Sequence, residues 1–207
     1  MKLDQDIIIV ATRNKGKVRE FEHAFALLGK QVKSMYDYPE LPEVIEDGHT
    51  FVENALKKAK TVGNALGYPV LADDSGLCVE ALDGRPGVYS ARYAGEDATD
   101  QENNEKLLQE LEQLKLGEDT EQTLLSPASF KCSLVLYNPT TGEHIETFGS
   151  VAGWITSEVA GNSGFGYDPL FYLTQYEKTM AELSLEDKQS VSHRGIALRE
   201  LITTLQK

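Results

Sequence analysis

Four short polar patches hold the residues of this chain that could do chemistry. The most suggestive is Asp73-Asp74-Ser75-Gly76, which follows the apolar run Tyr68–Ala72. Adjacent carboxylates at the end of a strand are costly to bury together. A divalent cation would offset their repulsion, and hard carboxylate oxygens suit magnesium. A carboxylate held there can also orient or deprotonate a water. The same residues also suit an Asp-rich turn, in which Asp and Ser side chains bond backbone amides ahead of Gly76.

The second patch is Thr12-Arg13-Asn14-Lys15-Gly16-Lys17. It lies between a predicted strand over Ile7–Ala11 and a predicted helix. The unpaired amides and dipole of a helix start favour an anion. Asn14 can hydrogen-bond, and Lys15 and Lys17 can neutralise charge, so the loop suits a phosphate as well as open solvent. The glycine-lysine spacing of a P-loop is absent. In the third patch, Gly164-Phe165-Gly166-Tyr167-Asp168-Pro169, two glycines bracket an aromatic. Backbone can then approach a flat ligand while the ring stacks on it; a tight turn around core aromatics is the alternative. The fourth is Ser192-His193-Arg194-Gly195, with Lys188 upstream. Cationic donors at a helix start oppose its dipole, so an anionic or carbonyl-rich ligand explains them better than helix stability does.

These patches need elements to hold them. Val18, Phe21, Phe25 and Leu28 follow a helical period that Gly29 stops. A second strand is predicted over 32–38. Thr50-Phe51-Val52-Glu53 is a capping box, opening a helix with an apolar stripe at Phe51, Ala55, Ala59, Val62 and Leu66 that ends at Gly67. A strand over Tyr68–Ala72 then leads to the aspartates, and a short apolar stretch, Leu77–Leu82, follows. Thr99 to Glu102 repeats the capping pattern ahead of Leu107, Leu108, Leu111 and Leu114. Residues 117–128 read as a polar surface loop. Ser129–Tyr137 and His144–Ser150 flank a turn and read as a hairpin. A last helix is predicted from about Arg194 to Leu205. Strands and helices alternate early and a hairpin comes later, which predicts an α/β fold with a mixed sheet and two lobes in one domain over 1–207.

Composition narrows the partners. The formal charge is −13 over 207 residues, which disfavours a nucleic-acid polymer, since its binders carry a basic face. A small anion needs only a few local cations. No apolar run approaches the ~20 residues that span a bilayer, and no cleavage pattern follows Ile7–Ala11, so no membrane contact or export is expected. Cys78 and Cys132 lack metal-ligand spacing and read as buried free thiols.

Together the patches resemble the Ham1-type inosine/xanthosine triphosphate pyrophosphatase family along nearly the whole chain. The resemblance is carried by Thr12 to Lys17, Asp47 to Ala55, Ala72 to Leu77, Pro86 to Tyr93, Gly164 to Pro169 and Ser192 to Gly195, in the family's order. It implies an elongated mixed β-sheet with flanking helices, of the Ham1/Maf-like kind, with two lobes around a central active-site cleft. It implies hydrolysis of XTP, ITP and dITP to monophosphate and pyrophosphate, clearing the nucleotide pool of bases that would be misincorporated. It implies that Thr12, Arg13, Asn14, Lys15, Gly16 and Lys17 hold the triphosphate, that Asp74 accepts a proton at a magnesium ion, and that Glu46 also meets the metal. Lys17 is expected to assist catalysis. Ser75, Phe165, Gly166, Tyr167, Asp168, Lys188, His193 and Arg194 are expected to contact substrate. A cytoplasmic homodimer is implied. A related enzyme for pyrimidine or modified nucleotides, as in Maf-like proteins, and a nucleotide sensor without turnover are the rival readings.

Overall fold

The computed structural model describes residues 6–114 and 123–206. The chain is α/β. Its elements are β1 (Ile7–Val10), α1 (Lys15–Ala26), β2 (Gln31–Ser34), α2 (Phe51–Leu66), β3 (Val70–Val79), α3 (Asp100–Leu114), β4 (Leu124–Tyr137), β5 (His144–Thr156), β6 (Phe171–Leu173), β7 (Lys178–Thr179), α4 (Leu185–Val191) and α5 (His193–Leu205). The strands form one sheet in the order β2-β1-β3-β4-β5-β6-β7. It is mixed: β1 runs parallel to β2 and β3, while β6 runs antiparallel to β5 and β7.

The chain divides into two compact units, with three of the four divisions falling inside β3, β4 and β5 and the fourth between α4 and α5. The first takes the chain up to Asp74, Cys132–Gly149 and the chain from Ser192 on. Its strands obey the two-residue alternation of side chains across a sheet. Ile8, Val10, Leu71, Leu134 and Leu136 pack with Phe21 and Phe25 of α1 and Ala197, Leu198 and Leu201 of α5. Ile9, Ala11, Val70, Ala72 and Val135 pack on the other face, with Ala55, Ala59 and Val62 of α2. Each fully buried aliphatic or phenyl side chain adds about 1.5–3 kcal/mol. The second unit, Ser75–Lys131 and Ser150–Val191, has its own core. There Leu77, Val79, Leu107, Leu111, Phe130, Ile155 and Phe171 cluster.

Local chemistry fixes the helix ends. Asn14 caps α1, its side chain accepting from the Lys17 amide at 3.0 Å. The expected capping box at Thr50 and Glu53 opens α2, and Gly67 closes it with φ +71°. The predicted stripe is buried at Ala55, Ala59 and Val62, whereas Phe51 and Leu66 are half-buried. Leu28 is exposed, and Glu20 is buried instead.

Three expectations need correction. The second strand stops at Ser34, because Asp37 Oδ2 accepts from the Ser34 amide at 2.8 Å and turns the chain into a 3-10 segment over Met35–Asp37. The polar loop over 117–128 is strand from Leu124. Ser126 is buried there because its hydroxyl accepts from the Ala81 amide at 3.1 Å; residues 117–122 lie outside the described residues. Lastly, β3 does not stop at Ala72. It runs unbroken through Asp73-Asp74-Ser75-Gly76 to Val79.

Candidate active site

The continuity of β3 decides how its two aspartates behave. Neighbouring residues of a strand point to opposite faces, so Asp73 and Asp74 take different hydrogen-bonding partners. Asp73 takes the face of Leu71, where α1 and α5 pack. Asp74 takes the face of Ala72, where α2 packs.

Asp73 is fully buried. Its Oδ2 receives Lys17 Nζ at 2.9 Å and Arg194 Nη2 at 3.1 Å. Arg194 Nη1 reaches Glu20 Oε2 of α1 at 2.5 Å. Burial alone would raise the Asp73 carboxyl; Lys17, Arg194 and Lys58 instead hold it far below the ordinary carboxylate range. Burial would likewise lower Arg194, but Glu20 and Asp73 keep its guanidinium firmly charged. The expectation that Arg194 lacks a structural explanation at the start of α5 is therefore corrected. Two carboxylates outweigh the helix dipole.

Asp74 is held differently. Its Oδ2 accepts from Asn54 Nδ2 at 3.1 Å, and its Oδ1 lies 3.3 Å from Lys58 Nζ. Lys58 also meets Glu46 Oε2 at 2.6 Å. Burial raises the Asp74 carboxyl; Lys58, Lys17 and Asn54 pull it down and Glu46 pushes it up, and the net shift is upward. Burial would lower the Lys58 ammonium, yet Asp74 and Glu46 hold it above the ordinary lysine range. Asn54 Oδ1 accepts from the Gly48 amide at 2.8 Å, tying the segment after Glu46 to the same group. A Cβ at Gly48 would stand 2.6 Å from that oxygen, so only glycine suits the approach.

Among the described residues no group of three or more His, Cys, Asp or Glu side chains is placed to hold a metal ion. Magnesium does not need one: it is commonly held by one or two carboxylates, with water and substrate phosphates completing the shell. Glu46 and Asp74, near enough to share one ammonium and to repel each other, fit that requirement.

The loop ahead of α1 lies in the same unit. Thr12 is buried and its hydroxyl accepts from the Asn14 amide at 3.1 Å. Arg13, Asn14 and Lys15 are exposed, with Gly16 and Lys17 half-buried. The Arg13 carbonyl accepts from the Tyr36 hydroxyl. His193 is buried as the first residue of α5, after the N-cap Ser192, whose hydroxyl accepts from the Gly195 amide at 3.1 Å. Gly149 of β5 allows this packing, since a Cβ there would come within 2.0 Å of the His193 carbonyl.

The other predicted residues belong to the second unit. Ser75 follows Asp74 on β3 and is half-buried. In the glycine loop, Asp168 Oδ2 accepts from the Phe165 amide at 2.8 Å and from Lys188 Nζ of α4 at 2.6 Å. Lys188 Nζ stands 4.9 Å from the centre of the Phe165 ring. A Cβ at Gly164 would fall 2.0 Å from Asp168 Oδ2, and Gly164 has φ +82°. The Tyr167 hydroxyl donates to the Ser90 carbonyl at 2.9 Å. The structure thus gathers Lys17, Asp74, Glu46 and Arg194 with the loop before α1, and gathers Phe165, Asp168 and Lys188 as a second group.

Sequence reasoning missed Lys58, Asn54, Asp73 as the anchor of Lys17, and Glu20. One signal was available. Asn54 and Lys58 stand four apart, on the same helix face as Ala55 and Ala59.

The Ham1 family profile matches residues 8–204. A dITP/XTP pyrophosphatase of Geobacter sulfurreducens is 52% identical over 191 residues, 92% of each chain. A dITP/XTP pyrophosphatase of Halalkalibacterium halodurans is 50% identical over 193 residues, 93% of this chain and 95% of that one. Among solved structures, the Staphylococcus aureus Ham1 protein matches with a TM-score of 0.78 at 41% identity, and a HAM1 protein from Coxiella burnetii with 0.81 at 39%; each comparison covers 97% of this chain and 98% of the other.

Proposed function

The chain belongs to the Ham1 family, and from that premise we propose how its residues act: it hydrolyses the non-standard purine nucleoside triphosphates XTP, ITP and dITP to monophosphate and pyrophosphate. The observation that supports the chemistry best is Asp74. It is a buried carboxyl, fixed by Asn54 and Lys58, whose affinity for a proton is raised. A general base works best when its pKa is brought toward the operating pH. Asp74 takes a proton from a water whose oxygen bonds to the α-phosphorus. The bond from that phosphorus to the bridging oxygen breaks, and pyrophosphate leaves with the electron pair.

The Thr12–Lys17 loop and the start of α1 bind the leaving phosphates. Lys17, pinned to Asp73, stabilises the charge that builds on them. Glu46 and Asp74 would hold magnesium, which when bound supplies Lewis-acid neutralisation of phosphate oxygens. Ser75 contacts the substrate. Phe165 stacks on the base, within the Phe165-Gly166-Tyr167-Asp168 loop. Lys188, beside the Phe165 ring, would donate to the 6-carbonyl shared by hypoxanthine and xanthine, and His193 and Arg194 of the first unit are proposed as further donors for the base. Adenine's 6-amino group would face them donor to donor, a mismatch that can discriminate by up to about 10⁴–10⁵-fold.

Clearance of the nucleotide pool, a cytoplasmic location and a homodimer complete the proposal. Among the described residues no helix is long and apolar enough to cross a membrane. The test is a panel of ITP, dITP, XTP, GTP and ATP with magnesium. The expected order has kcat/KM for the first three far ahead of ATP, with GTP weak. Comparable values for ITP and ATP overturn the reading.

A further inference from the structure

The loop that would receive the base is gripped by a helix carrying no residue of either group above. Gly166 has φ +60°, a left-handed conformation that favours glycine. Its amide donates to Asp100 Oδ2 at 2.7 Å, and its carbonyl accepts from Asn104 Nδ2 at 3.0 Å. Asp100 and Asn104 stand one turn apart at the start of α3, on one face. That face therefore holds both backbone polar atoms of Gly166, and with them the peptides on either side.

The helix is itself anchored. Asn103 Oδ1 accepts from the Ala94 amide at 2.8 Å, and its Nδ2 donates to the Ala91 carbonyl at 3.2 Å. Leu107 and Leu111 sit in the core. Beyond Gly166, the Tyr167 hydroxyl is tied to Ser90. Asn104 Oδ1 is buried with no hydrogen-bond partner among the described residues. An amide left half-satisfied inside a protein is a poor device for stability. Its bond to Gly166 is the contact that accounts for it.

We propose that Asp100 and Asn104 are positioning residues for base recognition: they fix Gly166 so that the Phe165 ring is preset for the incoming purine. A preset loop binds without the entropy cost of ordering. The proposal rests on the reading of the Phe165 loop as the base site. A competing role exists for Asp100, because an acidic residue in the first turn of a helix also favours the dipole.

The experiment uses the full-length protein with magnesium. KM and kcat for ITP are measured for Asp100→Ala, Asn104→Ala, the double variant, Asp100→Asn and Phe165→Ala. Inhibition by inorganic tripolyphosphate, which has no base, is measured alongside. Asp100→Ala and Asn104→Ala should each raise KM about 5–10-fold with kcat nearly unchanged, the scale of an ordering cost. The double variant should fall well short of the product of the two, since both release one loop. Asp100→Asn keeps an acceptor and should restore most of the KM, and the tripolyphosphate constant should not move. An unchanged KM in Asp100→Ala and Asn104→Ala beside a raised KM in Phe165→Ala overturns the proposal alone. An unchanged KM in Phe165→Ala overturns the base-site reading and the proposal with it. Equal effects of Asp100→Ala and Asp100→Asn, with tripolyphosphate binding weakened too, assign Asp100 to helix stability and also overturn it. Asp100 is exposed, so its variants remain informative even where Asn104→Ala lowers stability.

Discussion

Two aspartates adjacent in sequence are held by different partners here, Asp73 by Lys17 and Arg194 and Asp74 by Asn54 and Lys58, and their carboxyls are shifted in opposite directions. Asp74→Asn should keep the fold while lowering kcat by about 10²–10⁴-fold, the usual cost of losing a general base; turnover above a tenth of wild type in a folded variant contradicts the assignment. Asp73→Asn should act through stability. It takes the paired carboxylate from Lys17 and leaves Arg194 with Glu20, and removing one partner of a buried ion pair costs about 3–5 kcal/mol, readable as a lower urea midpoint. The cysteines test burial by a separate route. Burial pushes the Cys132 thiol up to about 12 and raises half-buried Cys78 as well. A thiol at about 12 has on the order of 10⁻⁴ of its population as thiolate at pH 8. Iodoacetamide should therefore label Cys78 in the native protein and leave Cys132 untouched, as mass spectrometry of tryptic peptides will show. At this scale Asp74 and Lys17 drew attention because carboxylates and lysines beside a glycine in a polar stretch are conspicuous. Lys58 was not. It stands among Lys57 and Lys60 and looks like one more solvated lysine, and only the packing of α2 on β3 turns it inward.

Among the elements, β3 explains the largest departure from the sequence reading. Asp-Asp-Ser-Gly has turn composition, and nothing in its own chemistry announces a buried strand. The strand persists because Lys17 and Arg194 on one face, and Lys58 and Asn54 on the other, satisfy the aspartates it carries. Those partners come from distant parts of the chain, so no local pattern reveals them. The helix boundaries were legible for the converse reason: caps and left-handed glycines act within a few residues. The seat of α5 against β5 depends on Gly149, where an added methyl would collide with the His193 carbonyl. Overpacking of this kind costs about 1–3 kcal/mol, and backbone is the unyielding neighbour. Gly149→Ala should thus lower the melting temperature by several degrees, whereas Gly84→Ala, which meets nothing within 4 Å but has φ +84°, isolates the cost of backbone strain alone. Equal melting temperatures for Gly149→Ala and wild type would contradict the packing described for α5.

For the whole molecule, the mixed α/β sheet was legible in the order of predicted elements, as was the family in the order of its motifs. The division of the polar residues into two groups was not, because it depends on where β3, β4 and β5 pass from one unit to the other. The net charge of −13 adds a constraint on function. A polyanionic substrate must be drawn by local cations against the overall field, which makes the proposed magnesium ion central. Exhaustive EDTA treatment should abolish turnover and added magnesium should restore it; undiminished activity without metal would remove Glu46 and Asp74 from that role. The central claim is attack by water on the α-phosphorus with pyrophosphate as leaving group, and oxygen-18 tests it most directly. Hydrolysis of dITP in labelled water should place a single heavy oxygen in the monophosphate and none in pyrophosphate, read by mass spectrometry of both products. Heavy oxygen in pyrophosphate, or release of diphosphate and orthophosphate, would contradict the account.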